Sequence, residues 1–99
     1  MGTRLSPKDQ ALYSAVDEVL HYIWDPIGIS AIPQARDEYQ GYLPQAFGLL
    51  RDGASAETIA SYLGQIVAER MGLPSVPAHE LEVANVLLEW KGIIDAKFA

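Results

Sequence analysis

Near the start of the chain, apolar residues return every three or four positions. Leu12, Val16, Val19, Leu20 and Ile23 share one helical face, and Ser14, Asp17, Glu18 and His21 share the opposite one. This period predicts an amphipathic helix. Ser6 is a capping residue, Pro7 suits the first helical position, and Asp9 sits where the helix dipole favours negative charge. Tyr13 and Tyr22 flank the apolar stripe, where a ring can be buried while its hydroxyl stays wet. The helix is expected to end between Tyr22 and Trp24, because the run Trp24-Asp25-Pro26-Ile27-Gly28-Ile29 breaks it. Pro26 lacks an amide hydrogen and pushes Asp25 out of the α region. The Asp25 side chain favours a turn by bonding the backbone just ahead of it. Gly28 then permits angles that other residues avoid.

The stretch from Asp25 to Gln34 is not a polar linker. Ile27, Ile29, Ala31 and Ile32 punctuate it, and Pro33 stiffens its far end. A connection of about ten residues exceeds the usual helix–helix link. Each isoleucine left in water forgoes about 1.5–3 kcal/mol of burial energy. The segment therefore reads as an apolar loop packed over the core.

Three more helices come after it. Tyr39, Leu43, Ala46, Phe47 and Leu50 have helical spacing, and a proline inside a helix costs about 3 kcal/mol. The regular helix is thus expected to start near Gly41 or Tyr42, with Pro44 in its first turn and Asp37-Glu38-Tyr39 as a separate turn before it. Gly53 closes this helix. Ser55 caps a third, whose stripe is Ile59, Leu63, Ile66 and Val67, with Tyr62 on its flank; Gly64 leaves room for another helix to approach closely. Met71-Gly72-Leu73-Pro74 stops it. Pro77 opens the fourth helix, with Glu80 in the first turn and a predicted end near Ala96, beyond Gly92. This helix has a main apolar stripe of Val83, Val86, Leu87, Trp90, Ile93 and Ile94. Nearly opposite lies a second stripe of Leu81, Ala84 and Leu88, with Glu82, Asn85 and Glu89 in a polar wedge between. The expected fold is all-α: one domain over residues 1–99, a compact bundle of four helices with a long apolar loop after the first.

Charge and composition narrow the partners. The chain carries 13 acidic and 7 basic residues, a net charge of −6. Nucleic-acid binding needs clustered Lys and Arg, so it is not expected. A basic protein partner suits this balance. No apolar run approaches a membrane span, and Met1-Gly2-Thr3-Arg4-Leu5-Ser6-Pro7 lacks the apolar core of a signal peptide. The absence of cysteine removes disulfides and thiolate metal sites and fits a cytoplasmic protein.

The search for chemistry finds little. Glu18 and His21 have the three-residue spacing of di-iron bundles, but they lie on the polar face and no second pair exists. His79 falls in a helix first turn, where surface placement is the default. There is no nucleophile elbow, P-loop or dinucleotide fingerprint. Asp25 and Asp37 lie beside aromatic and apolar residues, so with Trp24 and Tyr39 they form a candidate pocket at the loop. The plainer role for both carboxylates is to cap helix ends and loop amides. No cofactor or metal is expected. The second stripe, Leu81, Ala84 and Leu88 with the rim Glu82 and Glu89, is the candidate interface. Either Ile27 to Ile32 of the loop cover it or another chain does.

Trp24-Asp25-Pro26-Ile27-Gly28-Ile29, then Asp37-Glu38-Tyr39 ahead of a helix and Met71-Gly72-Leu73 after one, resemble the small bacterial YugE-like proteins over roughly residues 12 to 73. The resemblance implies an all-helical fold and a bacterial origin, and it supplies no catalytic or binding residues. In size, charge and helix count the chain is also similar to the acidic four-helix immunity proteins that neutralise nuclease colicins, a likeness of architecture alone. The expected function is a non-enzymatic interaction module, working as a homodimer or on a basic partner, with immunity-type binding among its forms. The alternative is a small enzyme or ligand-binding protein with a pocket at the loop.

Overall fold

Helix starts obey the caps written into the chain. In the computed structural model, which describes residues 5–99, α1 spans Pro7–Val19 and Ser6 Oγ accepts the Asp9 amide at 3.1 Å. Met1 to Arg4, part of the segment that lacks a signal-peptide core, lie outside the described residues. A short 3₁₀ turn at Gln40–Tyr42 leads into α2, Leu43–Arg51, which places Pro44 in the first turn as its missing amide requires. Gly53, at φ +84°, ends α2 in the left-handed region. Ser55 Oγ accepts the Thr58 amide at 3.2 Å to open α3, Ala56–Gln65. The last helix, α4, runs Pro77–Lys97 straight through Gly92. The fold is all-α, with four helices and no strand among the described residues.

One core takes residues from every helix, including Val16 and Leu20, Phe47 and Leu50, Ile59 and Leu63, and Val83 and Leu87. The centre of this core is α4, which packs most extensively on α3 and next on α1. It runs antiparallel to α1: Lys8 Nζ meets Asp95 Oδ1 at 3.0 Å at one end, and His79 Nε2 lies 3.0 Å from the Trp24 carbonyl at the other. A carbonyl only accepts, so Nε2 of His79 carries the proton and donates. At Gly64 of α3 the approach to α4 is close: a Cβ there would stand 2.8 Å from Glu80 Oε1. Glu80 is buried, and its carboxylate accepts from Ser75 Oγ at 2.7 Å and the Val76 amide at 3.0 Å. The side chain reaches back to satisfy an amide at the start of its own helix, much as a capping box does.

The first helix departs from the simple period at its end. Its last turn, Leu20–Trp24, is a π turn, closed by the Asp25 amide donating to the Leu20 carbonyl at 3.1 Å. The wider turn holds one more residue than an α turn and shifts the register of its side chains. His21, expected on the polar face, is therefore buried at 2% exposure, while Ile23, expected in the stripe, is 42% exposed. His21 Nδ1 has no hydrogen-bond partner among the described residues. Burying such a group costs about 1–3 kcal/mol. His21→Leu is expected to raise the unfolding free energy by about 1 kcal/mol in urea titrations; on an exposed face the same change would do nothing measurable. A second π turn, Ile66–Arg70, extends α3 before Gly72 ends it.

The loop after α1 corrects a further expectation. Ile27 and Ile32 are 43% and 46% exposed, and only Ile29 packs against the core. Apolar burial alone does not hold this segment.

Candidate functional site

Asp25 takes the left-handed conformation, φ +32°, at the break between α1 and the loop. Aspartate tolerates that region better than most residues. The turn places its carboxylate beneath the loop. Oδ1 accepts the Ile29 amide and the Tyr39 hydroxyl, each at 2.8 Å, and Oδ2 accepts the Ser30 amide at 3.0 Å. Tyr39 Oη in turn accepts the Ile27 amide at 3.1 Å. The Tyr39 ring is buried 5.3 Å from that of Trp24, which also meets Tyr42 edge-on at 6.1 Å. The structure thus unites Trp24, Asp25 and Tyr39 of the candidate pocket. Asp37 is exposed and makes none of these contacts.

These contacts set the charges. Burial works against the ionised form of Asp25, but the Ile29 amide, the Tyr39 hydroxyl and the Ser30 amide together hold its carboxyl below the usual value. For Tyr39, burial first and then the adjacent Asp25 carboxylate push the phenol well above its ordinary range, so it stays a neutral donor. The depressed Asp25 contributes stability that is present above its unfolded value of about 4 and lost as pH falls through the folded one. The raised Tyr39 contributes stability that is full below about pH 10 and lost as pH rises toward its folded value. Tyr39→Phe is expected to flatten the alkaline limb of a stability–pH curve, which urea titrations from pH 7 to pH 11 would check.

Beside this network lies a cavity of about 220 Å³, bordered by Trp24, Asp25, Val67, Leu73, His79 and Glu80. Its carboxylates and imidazole are already engaged, whereas the buried Trp24 Nε1 has no hydrogen-bond partner among the described residues. Asp25 serves the loop, His79 ties α4 to the Trp24 carbonyl, and Glu80 holds Ser75 and Val76. Among the described residues, no group of three or more His, Asp or Glu gathers where a metal could be held. The arrangement is a structural lock: each acidic group already has the donors that a substrate would need to supply.

The expected interface on α4 divides. Ala84 is fully buried in the core and Leu88 packs half-buried against it, while Leu81, Glu82 and Glu89 are exposed. Leu81 borders α3, sharing a depression with Gly64, Gln65 and Ala68. This side therefore belongs to the α3–α4 packing. Neither the loop nor a second chain is needed to bury Ala84 or Leu88.

The apolar surface left over is on the other flank. A groove of about 390 Å³ runs between α1 and α4, lined by Ala11, Ser14, Ala15, Glu18, Val19, Tyr22, Ile23 and Trp90. Trp90 is 43% exposed, and Tyr22, Ile23 and the nearby-in-sequence Ile93 are exposed as well. Arg36 lies over the Tyr22 ring at 5.4 Å while binding Asp17 through two 3.1 Å contacts. Sequence reasoning places Trp90 in the core stripe, and the π turn that brings Ile23 outward leaves no periodic signal of its own. No helix among the described residues is long and apolar enough to cross a membrane. Comparison with protein families, with characterised proteins and with solved structures finds no match to this chain.

Proposed function

We propose that the protein is a bacterial, cytoplasmic, non-enzymatic interaction module, and that the α1–α4 groove is its contact surface. The observation that carries this reading is the clustering of exposed Tyr22, Ile23 and Trp90 along one concave apolar strip. Tryptophan and tyrosine dominate the energetics of protein interfaces, particularly where they border a pocket. An apolar strip between polar flanks is the usual mark of a docking site. The likeness to YugE-like proteins supports the bacterial origin, and the absence of cysteine fits a reducing compartment.

The test compares wild type with Trp90→Ala by light scattering and by retention of native partners on immobilised protein. Association, with itself or with another protein, is expected for wild type and is lost in the variant while circular dichroism shows the variant still folded. Identical behaviour of the two proteins would count against the groove.

A further inference from the structure

We infer that the occupant of the α1–α4 groove is a cationic amphipathic helix of another protein, an inference that rests on the interaction reading above. The groove tracks α1 from Ala11 to Tyr22, about three helical turns or roughly 16 Å. That length matches a helix presenting anchors at i, i+3 or i+4, and i+7. Ala11 and Ala15, one turn apart on α1, keep the groove low on that side, while Tyr22, Ile23 and Trp90 supply the large apolar contacts.

Charge chooses between occupants. On these two helices, Asp17 is bound by Arg36, and Asp95 by Lys8 and Lys91. Glu18 is the one charged residue lining the groove, and no cation lies within 4.0 Å of it among the described residues. A second copy of this chain would bring another Glu18 and another net charge of −6 to the same surface. Like charges brought together oppose association, whereas a lysine or arginine opposite Glu18 is drawn in. The groove asks for an apolar ridge with a basic flank.

The test uses the full chain and two fluorescently labelled helical peptides of about 18 residues, five turns each. One is built of leucine and lysine, and the other is its leucine–glutamate twin. Anisotropy titrations at two salt concentrations are expected to show the lysine peptide binding and the glutamate peptide not. Trp90→Ala should weaken binding by about tenfold or more. Glu18→Lys should weaken it by about fivefold and reduce its salt dependence. Equal binding of both peptides, sensitive to Trp90 but indifferent to Glu18, would leave the groove as an interface and overturn the cationic partner. Lysine-peptide binding that ignores Trp90→Ala would place it elsewhere on the acidic surface and overturn the inference. If neither peptide binds and light scattering finds a dimer that Trp90→Ala separates, the occupant is a second copy and the inference fails. If neither binds and the chain is a monomer, the interaction reading falls with it.

Discussion

Replacing Asp25 by alanine is expected to lower the unfolding free energy by on the order of 3 kcal/mol. The carboxylate accepts from two loop amides and the Tyr39 hydroxyl. Hydrogen bonds to a charged group contribute about 1.5–3 kcal/mol each, and these three are coupled, so their sum overstates the loss. Water reaches the half-buried Ile29 and Ser30 amides and recovers part of it. Alanine also fits the left-handed angle at this position poorly, which adds about 1 kcal/mol. Asp25→Gly, which relieves the backbone but supplies no acceptor, is therefore expected to cost about 1 kcal/mol less than Asp25→Ala. Ile27→Ser and Ile32→Ser touch residues only about half covered and should each cost about 1 kcal/mol, less than Asp25→Ala. Urea denaturation of the four variants would check the order. Isoleucine variants costing more than Asp25→Ala would show that apolar burial holds the loop after all.

The two tryptophans should behave as opposites. Trp24 is 1% exposed, packs on Tyr39 and Tyr42, and carries the carbonyl that receives His79. Trp24→Ala is expected to cost about 3–5 kcal/mol, the range for truncating a buried large aromatic. Against a total of about 5–15 kcal/mol, that removes between a fifth and all of the protein's stability. Trp90, 43% exposed, keeps more than half of its surface against the fold, so Trp90→Ala should cost about 1–2 kcal/mol, well short of Trp24→Ala, while removing the main anchor for a partner. Thermal melts of the two variants, followed by circular dichroism, separate the roles. Equal destabilisation would mean that Trp90 belongs to the core.

The helices are legible in the sequence because their signals are local. Ser6 and Ser55 cap where they stand, Pro44 admits only a first-turn position, and Gly53 ends α2 for lack of a side chain. The loop is misread when burial energy is the only force considered for its isoleucines. The Asp25 carboxylate satisfies the backbone instead, through Tyr39 fourteen residues away, and periodicity does not encode a contact of that separation. The surface of α4 is misassigned for a related reason. Its apolar residues cover a wide arc, and which flank is buried depends on where α1 and α3 settle. The core buries Ala84 and half-buries Leu88, with Leu81 beside α3, and the π turn moves Ile23 out of the core beside Trp90's groove. Of the candidate pocket, Trp24, Asp25 and Tyr39 can be grouped from their apolar setting. Asp37 shares that setting in sequence and is exposed to solvent in the fold.

The eight isoleucines sample every part of the fold: Ile23, Ile27, Ile29, Ile32, Ile59, Ile66, Ile93 and Ile94. Methyl NMR with a soluble paramagnetic probe reads their exposure in a single spectrum. Strong broadening is expected at Ile23, Ile27, Ile32 and Ile93, with Ile59, Ile66 and Ile94 sheltered and Ile29 between. A sheltered Ile23 methyl would restore the unbroken helical register, close the apolar groove, and contradict both the fold's last turn of α1 and the docking surface built on it.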